Sequence, residues 1–75
     1  MKVYTVRDNL KKTIADKEQH LKVLNATLAT APLENTEFTV IRTTSMFLEA
    51  NLDELKGILR DVEECCKEAT ALAFS

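Results

Sequence analysis

Apolar residues recur at every third or fourth position from Phe38 to the end of the chain, and charged residues fill most positions between them. The recurring positions are Phe38, Ile41, Ser45, Leu48, Leu52, Leu55, Leu59, Val62, Cys66, Ala69 and Ala73. All except Ser45 are apolar, and no proline interrupts the series. This spacing predicts one long amphipathic helix over about residues 36–73, with a seam of the heptad type.

The first part of the chain carries a shorter stripe of the same kind. Its members are Val6, Leu10, Ile14, Leu21, Leu24 and Leu28. Thr5 and Asp8 have the spacing of a capping box, and Pro32 disfavours a helical conformation in the residue before it. We therefore predict a helix over about residues 5–30, a loop over 31–35, and Asn35 or Thr36 as the N-cap of the second helix.

A short connection between two helices makes them antiparallel neighbours, so the fold class is all-α and the chain is one helical-hairpin domain, residues 1–75. A turn centred near residue 33 brings together positions whose numbers add up to about 66. That register predicts an ion pair between Lys17 and Glu49. It also predicts a polar layer of His20, Ser45 and Thr44.

In this register the second helix extends beyond the first, so apolar residues after Glu63 lack cover. We expect the hairpin to oligomerise there into a helical bundle or coiled coil, as a dimer or a larger assembly. The predicted oligomer interface comprises Ile58, Val62, Cys65, Cys66, Ala69, Leu72 and Phe74. A second apolar set, Val40, Met46 and Phe47, is the candidate surface for a protein partner.

Composition narrows the class of protein. The 75 residues include one glycine, one proline and no tryptophan, which excludes β-sandwiches, barrels and disulfide scaffolds. The net charge of −2 favours neither nucleic acid nor acidic membranes as partners. We expect a cytoplasmic protein with free thiols, because no secretory leader or membrane span is apparent and the two cysteines are adjacent.

Residues for chemistry are sparse, and we expect neither an enzyme nor a bound cofactor or metal. A candidate anion-binding site gathers Arg42, Thr43, Thr44 and Ser45 within about one helical turn, with His20 across the hairpin. The competing interpretation is that the hydroxyls donate to backbone carbonyls one turn earlier.

The length and hairpin layout resemble the small helical-hairpin chaperones and adaptors of bacterial secretion systems and the small hairpin proteins with which phages bind host factors. The Arg42-Thr43 pair ahead of an apolar helical run is similar to a phage group whose oligomeric hairpins sequester cyclic nucleotides. The first hypothesis is a non-enzymatic protein–protein interaction module acting as an inhibitor, adaptor or chaperone. The alternatives are an oligomeric binder of a small anion such as a nucleotide, and a structural coiled-coil spacer.

Overall fold

Two long helices form an antiparallel hairpin, as the hydrophobic pattern predicts. The computed structural model describes residues 2–73, with α1 at Lys2–Thr30 and α2 at Asn35–Ala73. The hairpin is a rod of 60 × 16 × 15 Å. Its long dimension matches the length of α2, because a helix of 39 residues at 1.5 Å per residue spans about 58 Å.

The first helix begins three residues earlier than expected, so Thr5 lies within the helix and is not its cap. Tertiary contacts of Val3 and Tyr4 account for the extension. The Thr70 hydroxyl donates to the Cys66 carbonyl at 2.9 Å and accepts from the Tyr4 hydroxyl at 2.7 Å. The Cys66 sulfur lies 4.0 Å from the Val3 carbonyl oxygen. These contacts join the open end of the hairpin and favour helix at the start of α1.

The loop occupies residues 31–34, one residue less than predicted. The Leu33 amide donates to the Ala31 carbonyl at 3.0 Å, which closes a tight turn around Pro32. The Glu34 carbonyl then accepts from the Phe38 amide at 2.8 Å. Glu34 is therefore the N-cap of α2, and the expected caps Asn35 and Thr36 lie in its first turn.

The predicted seam of α2 lies against α1. From Ile41 to Ala69 each of its members is buried or half-buried, and Ile14 of α1 and Leu52 and Cys66 of α2 form the most buried apolar set. The seam of α1 that packs against it starts at Val3 and includes two long cationic side chains, Arg7 and Lys17. It consists of Val3, Arg7, Leu10, Ile14, Lys17, Leu21, Leu24 and Leu28, all buried or half-buried. Val6, which was expected in this stripe, is 51% exposed.

The predicted register is wrong by three residues. Asn25 bonds to Ser45 and Val3 contacts Cys66, so the numbers of facing residues add up to about 69. In this register every member of the α1 seam faces a member of the α2 seam. Lys17 lies opposite Leu52, and among residues 2–73 it forms no ion pair with Glu49.

The corrected register also moves the uncovered part of α2. The start of α1 lies level with Lys67, so α1 covers α2 about one turn further than predicted. About six residues of α2 extend past α1 at the open end and about four at the loop end. The predicted overhang beginning after Glu63 is therefore too long, because Val3 and Tyr4 cover Cys66.

Candidate interaction surface

The two long sides of the hairpin differ in charge. On one side, the residues beside the seam repeat at every seventh position, and over residues 6–27 of α1 and 44–65 of α2 none of them is a lysine, arginine, aspartate or glutamate. Glu37, near the loop, begins the same row of α2. We define this uncharged face by Val6, Thr13, His20 and Thr27 on α1 and by Thr44, Asn51, Ile58 and Cys65 on α2. A shallow groove lined by His20, Thr44, Phe47, Leu48 and Asn51 joins the two helices on this side. The groove shows that the rows of α1 and α2 belong to the same face.

Exposed apolar residues follow the α2 edge of the uncharged face. Val40 and Ile58 are more than half exposed, and Phe47 is 72% exposed. Cys65 is also exposed and carries a free thiol. Successive steps of seven, eleven and seven residues separate Val40, Phe47, Ile58 and Cys65. Since seven and eleven residues are close to two and three helical turns, the four side chains form one straight row along the helix.

The opposite side of the hairpin carries most of the charge beside the seam. Its rows contain Lys11, Glu18, Lys22, Arg42, Glu49, Lys56, Glu63 and Lys67. Two shallow grooves open on it, one lined in part by Arg7, Lys11, Glu63 and Lys67 and the other in part by Glu18, Lys22 and Lys56. We call this side the charged face. Its side chains are suited to solvent contact.

The best-defined polar contacts near the open end belong to the charged face. Arg7 pairs with Asp8 at 3.0 Å, and its guanidinium lies 5.3 Å from the centre of the Tyr4 ring. The hydrogen bond and charge of Asp8 raise the pKa of Arg7 above its ordinary value. Arg7 therefore stays cationic, with partners within its own helix.

The predicted oligomer-interface residues separate into two groups. Val62 and Cys66 lie in the seam opposite α1, which covers them at least in part, and Ala69 is half-buried just beyond the start of α1. Ile58, Cys65 and Leu72 are exposed. Phe74 lies outside the described residues. An interface role stays a prediction for the exposed group, whereas Cys66 is buried within a single chain.

The candidate partner-binding set is also divided between the two sides. Val40 and Phe47 follow the uncharged face, whereas Met46 projects about 100° away from its neighbour, towards the charged face. Met46 is nevertheless 60% exposed, comparable with Val40 at 59%. This makes Met46 a natural control for substitutions of Phe47.

The candidate anion-binding residues do not converge. The Ser45 hydroxyl is buried in the seam and donates to Asn25 Oδ1 at 2.8 Å, and the Thr44 hydroxyl donates to the Val40 carbonyl at 2.9 Å. His20 shares a groove with Thr44, and Arg42 and Thr43 are exposed on other sides of α2. The hydroxyls of Thr44 and Ser45 thus have protein partners, as the competing interpretation expects for Thr44.

Sequence reasoning missed the contribution of α1 to the uncharged face. Val6 was assigned to the core, and His20 was assigned to a polar layer with Ser45. The signal was present in the sequence, because Val6, Thr13, His20 and Thr27 repeat every seven residues without a lysine, arginine, aspartate or glutamate among them. This row can be assigned to a face only when the seam of α1 is known, because the positions of the seam residues determine which other rows of the helix are next to them.

Within the described residues, neither helix has a stretch long and apolar enough to cross a lipid bilayer. Over the same residues, no three side chains of His, Cys, Asp or Glu are grouped so that they could hold a metal ion. Comparisons with protein-family models, curated proteins and solved structures found no match.

Proposed function

We propose that this chain is a non-enzymatic protein–protein interaction module that acts through the uncharged face of the hairpin, where it assembles with another helical surface. The observation that carries the proposal is the straight row of exposed apolar residues on that face. An inhibitor, adaptor or chaperone needs such a surface and no catalytic centre.

The distribution of charge supports the choice of face. Docking a helix against the charged face would desolvate several lysine, arginine and glutamate side chains, which costs free energy unless each finds a partner. Fewer charges lie along the apolar row of the uncharged face, where Glu54, Asp61 and Glu68 are the acidic neighbours. There, threonine and asparagine side chains can hydrogen-bond at the rim while apolar side chains fill the centre. That arrangement is typical of protein interfaces.

The distribution of apolar residues supports the same choice. Isolated apolar residues on a surface are ordinary, but several that share one line along a helix often mark an interaction site. From Val40 to Cys65 the row extends for about 37 Å along α2. The exposed thiol of Cys65 suits a reducing compartment such as the cytoplasm, where we place the protein.

The test compares Phe47→Gln with Met46→Gln. Both replace an exposed apolar residue on α2 with the same good helix former, so the helix itself should be little affected in either variant. The molar mass of each protein is measured by light scattering during size-exclusion chromatography at several loading concentrations. Circular dichroism checks that helix content is retained.

We expect the wild-type chain to have more than the mass of a single chain, 8.4 kDa, and Met46→Gln to match it. Phe47→Gln should raise the dissociation constant at least tenfold, because burying a phenylalanine stabilises an interface by about 1.5–3 kcal/mol. A wild-type chain that stays at the single-chain mass at all concentrations would contradict the assembly. Equal effects of the two substitutions would contradict the choice of face.

A further inference from the structure

The apolar row on the uncharged face has a symmetric spacing. Val40, Phe47, Ile58 and Cys65 are separated by seven, eleven and seven residues, which reads the same in both chain directions. The midpoint lies between Leu52 and Asp53. If a second copy is related to the first by a two-fold axis perpendicular to α2, each residue of its row lies opposite a residue of the first row.

We propose that the occupant of the uncharged face is a second copy of this chain, with its α2 antiparallel to the first and a two-fold axis level with Leu52 and Asp53. The inference rests on the proposed function and adds the partner, its direction and its register. In this arrangement the numbers of facing residues add up to about 105. Val40 then faces Cys65 of the other copy, and Phe47 faces Ile58.

The polar residues of α2 favour the antiparallel direction over the parallel one. Glu54 and Asp61 lie on the same heptad seam as the apolar row. In the antiparallel register they face Asn51 and Thr44 of the other copy. The Asn51 amide can donate to a carboxylate, and the Thr44 hydroxyl can do so by exchanging its bond to the Val40 carbonyl. Glu68 meets the acidic Glu37, which by the two-fold symmetry leaves two unfavourable positions. In a parallel dimer, each of these four acidic residues would face its own copy, so like charges would be opposed four times.

The exposed area also fits a second copy. The chain exposes 5760 Å², whereas a compact monomer of 8.4 kDa exposes about 4,600 Å². The excess of roughly 1,200 Å² exceeds the area of about 800 Å² that each partner buries in an interface of standard size. The rod therefore has enough surface for an isologous interface of standard size.

The experiment uses a short bis-maleimide crosslinker and single-cysteine variants of the full chain. All variants carry Cys66→Ala, since Cys66 is a buried thiol next to the one of interest. The first variant keeps Cys65. The second combines Val40→Cys with Cys65→Ala and carries an affinity tag, so that the two proteins differ in mass. Each is treated alone and after mixing, and the crosslinked species are identified by mass spectrometry.

The antiparallel dimer predicts a crosslinked species in the mixture that contains both variants, and none in either protein alone. In a dimer of either protein alone, the two identical cysteines lie at opposite ends of the apolar row. Their separation equals that of positions 40 and 65 along one helix, about 37 Å, which exceeds the reach of the reagent. A matched control replaces the second variant with Met46→Cys in the Cys65→Ala, Cys66→Ala background. This cysteine lies towards the charged face, and no crosslink to Cys65 is expected.

The other outcomes separate this inference from the proposed function. Crosslinking of the Cys65 variant with itself would indicate a parallel dimer, which overturns the antiparallel arrangement and leaves the interaction surface standing. A dimeric mass without any crosslink in the mixture would also overturn the arrangement. A single-chain mass without crosslinks would overturn both the arrangement and the proposed assembly.

Discussion

Ser45 shows how a single polar residue is accommodated in an apolar seam. Among residues 2–73 it is the buried polar side chain, with 4% of its surface exposed. Its hydroxyl donates to Asn25 Oδ1 at 2.8 Å. Asn25 is itself exposed, so it can exchange this contact for water, whereas Ser45 cannot. The two partners therefore contribute unequally to stability.

This inequality gives a prediction for the pair. Asn25→Ala should lower the free energy of unfolding by about 1 kcal/mol, because it leaves a buried hydroxyl without its partner. Ser45→Ala should change it by less than about 0.5 kcal/mol, because it removes the buried polar group and leaves an exposed amide. Urea unfolding followed by circular dichroism measures both.

The double variant Asn25→Ala, Ser45→Ala completes a double-mutant cycle and provides its control. With Ser45→Ala present, Asn25→Ala should have little further effect, since no buried hydroxyl remains to be satisfied. Equal and additive losses from the two single substitutions would show that the hydrogen bond does not couple these residues.

At the level of the helices, the hydrophobic pattern predicts the elements well and their register less well. The seam of α2 is correct because apolar residues at three-and-four spacing have one side on which to be buried. The seam of α1 is less obvious, because Arg7 and Lys17 occupy seam positions where their aliphatic stems pack and their charged ends reach solvent. A pattern based on apolar residues treats such positions as interruptions.

The register could not be derived from the pattern alone. Sliding one helix by three residues again brings apolar residues opposite apolar residues, so both registers satisfy the seam. The choice depends on specific contacts, above all Asn25 with Ser45 and Tyr4 with Thr70. The uncharged face follows from the register of the seams, which is why its α1 half was not foreseen.

Gly57 provides a prediction at the same scale. It lies inside α2, and a Cβ atom placed on it would meet nothing within 4 Å. Glycine in a helix interior is less favourable than alanine by about 0.8–1 kcal/mol, so Gly57→Ala should stabilise the protein by about this amount. For a chain of this size the melting temperature should rise by about 4–8 °C.

Gly57 also distinguishes the outer surface of α2 from the uncharged face. Position 57 lies on the side of the helix away from the seam, next to Ile58 in sequence but about 100° from it. The dissociation constant of the assembly should therefore be the same for Gly57→Ala and the wild-type chain. A weaker assembly in this variant would mean that a partner approaches the outer surface of α2, contrary to the proposal.

At the scale of the whole molecule, the hairpin buries little apolar surface for its length. Within the described residues, the buried apolar side chains are Ile14, Leu52 and Cys66, and no large side chain has less than 2% of its surface exposed. A core of this size stabilises the fold by only a few kcal/mol, whereas the conformational entropy lost on ordering about seventy residues opposes folding. Assembly with a second copy would add buried area where the single hairpin lacks it.

Coupling between folding and assembly makes thermal stability depend on concentration. If the folded state is the proposed dimer, each tenfold increase in chain concentration stabilises it by about 1.4 kcal/mol per dimer. Between about 1 and 100 μM the melting temperature should then rise by roughly 5–10 °C. Phe47→Gln should melt at a lower temperature that changes much less over the same range, whereas Met46→Gln should follow the wild-type chain. A wild-type melting temperature that stays constant would mean that the lone hairpin supplies its own stability, and the exposed apolar row would then contribute nothing to the fold.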